Sequence, residues 1–332
     1  MKIVPTNSAQ TLIYVIAPAE IPTATAFSLF PATTSLRSRA GLAVWRNHAA
    51  TWVLSDTNHV SRELFTSADA CVFLIDGNVG MSPVVIDLFR EAQDLSMPIQ
   101  ITVQNSIDGR ADFDEVIAIV QRVLDEDAVG RYLPIESDEG EGIAGLFDLL
   151  TTDLHVLNEN AIEIRPSDPE HVNLTIDKRA DLIEVLAHYG LSDQQFESLA
   201  SGNPISIPAL ESAYSNNDIV KVTPVDQSVA RGILTEWQDQ LPARWVPTVV
   251  LNDDVLDITD CTFPIGVGIT NEIVRYWNSD RSVWLEKFTP KGSLSDAIDC
   301  TSIGGIMWIP GVRAGDTIRP AETSAVVHPP EF

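Results

Sequence analysis

Two short polar stretches carry residue types able to do chemistry. The first is Asp56-Thr57-Asn58-His59, which sits between the apolar runs 52–55 and 71–76. A carboxylate three residues before an imidazole offers an acid and a base in one loop. By residue type alone the stretch is open to three readings: a working catalytic loop, the remains of one, or an ordinary polar turn. The second is Asn105 and Asp108, just after the apolar run 98–104. Both are common turn residues after a strand. Thr23 and Thr25, after the first apolar run, carry hydroxyls that could meet a metal or cap a helix. Elsewhere the chemistry is sparse. His155 and His171 lack ligand spacing and read as structural or exposed. Cys71, Cys261 and Cys300 are scattered, with no C-x-x-C pair, so neither a zinc site nor a disulfide framework is expected. The acidic run 136–145 lacks the ligand alternation of a calcium loop and reads as solvated. No metal site is expected.

The elements that must position these residues follow from periodicity. Buried-strand patterns occur at 12–17, 52–55, 71–76 and 98–104. Between the last two, Val84, Val85, Leu88, Ala92 and Leu95 repeat at helical spacing. A second amphipathic helix starts after Asp112, a predicted N-cap, with Val116, Ile119, Val120, Val123 and Leu124 on one face. Strands alternating with helices predict a mostly parallel sheet covered on both faces, with ligands at the carboxyl ends of its strands. From about 133 the alternation breaks into a loop, short elements and helices, one of them N-capped by Ser192. A returning strand near 218–226 and a closing helix follow. After Pro242 helical periodicity is lost, and short β-rich runs punctuated by Gly, Pro, Asn and Asp predict a small barrel. The expected domains are 1–245, with an insert at about 133–218, and 246–332. Trp277, Trp284 and Trp308 read as core of the second.

Composition sets outer bounds. The chain has 332 residues, 45% of them hydrophobic, enough for about two domains. A formal charge of −26 argues against binding a nucleic-acid backbone through a basic face, though not against docking on a protein or an RNA–protein assembly. The apolar run at 11–19 reads as a buried strand rather than a signal segment, and no stretch approaches the roughly 20 apolar residues of a membrane span. A reducing, cytoplasmic setting is expected.

The order of these pieces resembles the translational GTPases, specifically elongation factor G and its ribosomal-protection relatives. "LPIESDEGEGIAGLFDLLTTDLHVL" (133–157) and "KRADLIEVLAHYGLSDQQFESLASG" look like that family's characteristic insert, and "IPGVRAGDTIRP" (309–320) is similar to the end of its β-barrel domain. The resemblance implies an α/β fold with a mostly parallel sheet of P-loop GTPase type, an α+β insert and a small all-β barrel. It also implies where nucleotide contacts would fall.

At those places the sequence departs from the family. A phosphate loop needs backbone N–H donors, close-approach glycines and a lysine. Here "APAEIPTATA" (17–26) has two prolines, no glycine and no lysine, with Pro22-Thr23-Ala24 where the family has Gly-Lys-Thr. "PATTSLRSRAGLAV" is too short for the first switch, with Thr33 and Thr34 its nearest equivalents. Asp56 and His59 match by type the second switch, Asp-Thr-Pro-Gly-His, but one residue is missing and so is the glycine that senses the γ-phosphate. Asn105 and Asp108 match the guanine-reading motif, with Ser106 in place of its lysine. The family's last base-contacting loop would fall near 222–228 and is barely recognisable.

The resemblance, corrected by these departures, implies an elongation factor G-like pseudo-GTPase: a binding or regulatory scaffold, ribosome- or translation-associated, without hydrolysis or translocation. No cofactor is expected, with GTP or GDP and magnesium bound weakly at most through Asn105, Asp108 and, least of the three, Thr23. Asp56 and His59 are vestigial. The partner is expected to be a protein or a ribosome-associated assembly, and not a membrane. Since the sequence stops after "HPPEF", the family's remaining domains are expected to be absent. The alternatives are a weak GTPase of the translation-factor class and a decayed remnant.

Overall fold

The structure is a computed structural model. It describes residues 11–31, 34–39, 42–46, 50–105, 111–136, 143–158, 161–192, 194–195, 197, 204–225, 229–242, 248–252, 254–257, 265–270, 273–277, 305–308, 312–313, 316–318 and 326–328. Strand β1 (Thr11–Ala17) leads through helix α1 (Thr23–Ser28) to the hairpin β2 (Thr34–Arg39) and β3 (Leu42–Arg46), then β4 (Ala50–Asp56) and α2 (Arg62–Thr66). Next come β5 (Ala70–Asp76), α3 (Pro83–Asp94), β6 (Ile99–Gln104), α4 (Phe113–Val123) and β7 (Val129–Gly130). Strands β8 (Tyr132–Glu136), β9 (Ile143–Asp148), β10 (Asp153–Asn158) and β11 (Ala161–Pro166) precede α5 (Pro169–Leu174), α6 (Ile176–Gly190) and α7 (Ile207–Tyr214). Strand β12 (Lys221–Pro224) and α8 (Val229–Gln240) follow. Strands β13 (Thr248–Leu251), β14 (Asp254–Asp257), β15 (Ile265–Thr270), β16 (Ile273–Trp277), β17 (Gly305–Trp308), β18 (Thr317–Ile318) and β19 (Val326–His328) complete the order.

The largest sheet runs β2-β3-β4-β1-β5-β6-β12-β7. It is parallel across β5, β6, β12 and β7 and antiparallel across β2, β3 and β4. Every residue of β1 and β5 is buried, as continuous apolar runs in a sheet covered on both faces require. The predicted α/β architecture is therefore present. Compact units divide the chain differently from its linear order: one comprises 1–14, 32–70 and 241–332, the other 15–31 and 71–240.

In the second unit, α3 starts at an N-cap, Ser82, followed by Pro83, whose missing N–H costs nothing there. Its buried face is Val85, Leu88, Phe89 and Ala92, while Val84 is 41% exposed. Helix α4 has the predicted Asp112 cap as a full capping box with Glu115. It buries Phe113, Val116 and Val120, so the buried face is rotated from the expected one, and Ile119 and Val123 face outward. The insert is an antiparallel sheet, order β11-β10-β9-β8, with its helices gathered on a core of Phe147, Leu150, Leu186 and Leu210. Ser192 caps the turn at Gln195 as expected. In the first unit the C-terminal β region forms two small antiparallel sheets, β14-β13-β19 and β17-β16-β15-β18.

Candidate functional site

The loop after β1 closes on itself. The Ile21 N–H donates to the Pro18 carbonyl at 3.1 Å, and the N–H groups of Thr25 and Ala26 both donate to the Pro22 carbonyl, at 2.8 and 3.0 Å. Pro18 and Pro22 have no N–H. The Ile21 side chain is buried at 6% exposure, which pins the loop from below. Two of the loop's N–H donors are therefore missing, and those of Ile21, Thr25 and Ala26 are bonded within the turn. Thr23 is the first residue of α1, which is only six residues long.

In the same unit, the ends of β5 and β6 are joined tightly. Asn105 donates its Nδ2 to Asp76 Oδ1 at 3.0 Å, and the same oxygen accepts the Asn78 N–H at 2.7 Å. The Gly77 N–H donates to the Gln104 carbonyl, and the Ala111 N–H donates to the Gly77 carbonyl. Gly77 cannot be larger: a Cβ there would lie 2.6 Å from the Asn105 carbonyl oxygen and 2.7 Å from that of Ala111. Asn105 has φ of 55°, a left-handed conformation that Asn tolerates better than most side chains. Gln104 Oε1 is buried and makes no hydrogen bond among the described residues. Ser106, Asp108 and residues 226–228 of the expected last base loop lie outside the described residues.

In the other unit, Asp56 ends β4 and organises the turn that follows. Its carboxylate accepts the Asn58 N–H at 2.8 Å and contacts His59 Nδ1 at 2.8 and 3.0 Å, while its carbonyl accepts the His59 N–H. This is an Asx-type turn. His59 is half-exposed, and its Nδ1 is held by the nearest carboxylate. Helix α2 then starts at Ser61, whose Oγ caps the Leu64 N–H and whose own N–H donates to the Tyr14 hydroxyl. Tyr14 in turn donates to Ser55 Oγ at 2.7 Å. Of the residues singled out in sequence, Asn105 has its geometry defined by a partner 29 residues away, and Asp56 and His59 are brought together by their own turn.

The remaining candidates are structural. His155 packs edge-on against Tyr132 and lies 4.0 Å from Asp148; His171 has a buried Nδ1 without a partner among the described residues. Cys71 is fully buried, which pushes its thiol up. No group of His, Cys, Asp and Glu able to hold a metal occurs among the described residues. Residues 137–142 and Trp284 are outside them, and Trp277 and Trp308 sit in β16 and β17.

Sequence reasoning did not single out the strongest polar cluster, in the insert unit. Arg131 forms a bidentate pair with Asp148 (2.8 and 2.6 Å) and another with Glu211 (2.7 and 2.7 Å), between the rings of Tyr132 and Tyr214. Burial opposes its charge, but the Asp148 carboxylate overrides that and keeps the guanidinium protonated. Burial likewise raises the Tyr132 and Tyr214 phenols. Lys221 lies nearby, 3% exposed, donating to the Asn216 carbonyl at 2.8 Å over the Tyr214 ring. Burial pulls it down to about 8. The carboxylates lie 17 and 80 residues from Arg131, so no local pattern points to them.

No family model matches the chain. Over 155 residues it is 26% identical to elongation factor G of Mycoplasma genitalium, an alignment covering 46% of this chain and 22% of that protein. It is 24% identical over 137 residues to GTPase Der of a Polaromonas species, covering 40% and 28% respectively. A crystal structure of a Thermus thermophilus protein shares the fold, with a TM-score of 0.57 at 13% identity, covering 96% of this chain and 52% of that one. The matches thus span about a quarter of the sequence relatives and about half of the solved protein. Among the described residues no helix is long and apolar enough to cross a membrane. By sequence the chain is similar to an elongation factor G and to a GTPase Der; by fold it is an α/β protein with a mostly parallel sheet, a separate antiparallel four-stranded sheet and a small β region.

Proposed function

We propose that this chain is an elongation factor G-like pseudo-GTPase, a translation-associated binding or regulatory scaffold that does not hydrolyse GTP. In this reading its GTPase-like domain covers 1–245, with the insert at about 133–218, and a translation-factor-type barrel covers 246–332. The observation that carries it is the loop after β1: two prolines, no lysine, and Ile21, Thr25 and Ala26 N–H groups bonded to carbonyls of the same loop. Without the glycines and the lysine of such a cradle the β- and γ-phosphates are not held, and Asp56 and His59 have no positioned phosphate to act on. Its setting is cytoplasmic and its partner a protein or a ribosome-associated assembly. The charge of −26 favours a partner with basic protein surface over bare nucleic acid.

A fluorescent-GDP titration with and without magnesium, paired with co-sedimentation on ribosomes, tests this. We expect no binding tighter than about 100 µM and no GTP turnover above the buffer blank. A Kd at or below about 10 µM, roughly −7 kcal/mol, overturns the strict form. A second reading, a weak guanine-nucleotide binder, is favoured by the Asp76–Asn105 bond and by the buried Gln104 Oε1, which has no partner among the described residues. In that case binding is magnesium-independent and indifferent to the γ-phosphate.

A further inference from the structure

Helix α2, which follows the Asp56–His59 turn, is fixed at both ends by residues of its own unit. At its start the Ser61 N–H donates to the Tyr14 hydroxyl, and the Tyr14 ring packs edge-on against Phe65 at 6.1 Å. At its end the contact comes from the C-terminal β region. Arg275, in β16, is 2% exposed; its Nη1 donates to the Ser67 carbonyl at 2.7 Å and its Nη2 to Asp69 Oδ2 at 2.7 Å. Ser67 is the C-cap of α2, so Arg275 places a cation on the last carbonyls of that helix. Asp69, itself 0% exposed, also accepts the Leu12 N–H through Oδ2 at 2.8 Å, and its own N–H donates to the Leu12 carbonyl. A buried ion pair thus joins the end of α2, the start of β1 and β16.

We propose that Arg275 is a positioning residue that locks α2 and the Asp56–His59 turn to strands β15 and β16 as one conformational element. A helix of five residues has too few internal hydrogen bonds to persist alone, so its order depends on such outside partners. Moving it as a switch would leave an arginine and an aspartate buried without each other, which is far costlier than shifting a solvated loop. The segment that would report nucleotide state in a GTPase is, in this chain, part of the unit that contains the C-terminal β region. The inference stands whether or not a nucleotide binds.

Amide hydrogen exchange on the full chain tests it, comparing Arg275→Met, Arg275→Lys and Asp69→Asn with Val274→Ala. Val274 is fully buried in the same strand, so its truncation loosens the unit without touching the ion pair. At denaturant concentrations that equalise global stability, Arg275→Met is expected to speed exchange at Phe65, Ser67 and Ala68 by on the order of tenfold over Val274→Ala. Arg275→Lys should fall between, since one ammonium cannot reproduce the two-armed contact. Equal protection of α2 in the Arg275→Met and Val274→Ala proteins overturns the proposal. If Arg275→Met does not fold, Asp69→Asn decides: α2 must loosen selectively, and unchanged α2 exchange overturns the proposal.

Discussion

The loop after β1 and the joined loops after β5 and β6 belong to one unit, yet they handle their polar groups in opposite ways. After β1, the Ile21, Thr25 and Ala26 N–H groups bond within the loop, and the Ile21 side chain is buried. After β5 and β6, Asn105, Asp76 and Gly77 tie one strand end to the other, and Gly77 has no room for a side chain. The residues kept by type are those the fold itself uses. Where only a phosphate would have demanded glycine and lysine, neither is found. A matching motif is weak support for ligand binding when its side chains already have structural partners.

That contrast can be broken by substitution. The largest effect is expected at Gly77→Ala, whose Cβ must push two backbone carbonyls apart; about 3 kcal/mol or more of stability should be lost in urea unfolding. Glu20→Ala, in the exposed part of the β1 loop, should change stability by less than about 0.5 kcal/mol. If both substitutions prove mild, the β5–β6 junction is not a fold requirement.

Lys221 sharpens the same point away from both loops. Its folded pKa, about 8, lies below the ordinary lysine value of about 10.4, so the protonated form is disfavoured in the folded state. The penalty is fully present below about pH 8 and disappears as pH rises toward 10.4. Lys221→Met should therefore stabilise the protein by about 2–3 kcal/mol at pH 7, and the gain should shrink over that window in unfolding series at stepped pH.

Next in size is Asn105. Asn105→Ala should cost about 1–2 kcal/mol, from the lost bond to Asp76 and the positive φ, and Asn105→Gly should cost less because it accepts that φ freely. Equal losses would assign the whole effect to the side-chain bond. The smallest effect is expected at His59→Ala: at a half-exposed turn the loss should stay within about 0.5 kcal/mol, with no change in GTP turnover from the blank.

Much of the framework was legible because it is local. Continuous apolar runs identified β1 and β5, and Asp112 ahead of an apolar stripe marked the start of α4. The β2–β3 hairpin was not, because "TSLRSR" has a single large apolar residue and reads as the loop of a shortened switch. Strand β11 hid in the same way behind the charges of Glu163 and Arg165. At the candidate site, the position of Asn105 could be read from sequence, but the acceptor that defines its role, Asp76, could not. Arg131 and Arg275 look like ordinary surface charges in a linear reading; only the fold brings their carboxylates to them.

The bond between Asp69 and Arg275 spans 206 residues of chain. At a synthesis rate of roughly 5–20 residues per second, Asp69 leaves the ribosome on the order of 10–40 s before its counter-ion exists. Residues 71–240 are complete within that interval, so most of the insert-bearing unit is free to fold first. The unit holding the Asp56–His59 turn lacks β16 until then, so it is expected to close last, around that strand.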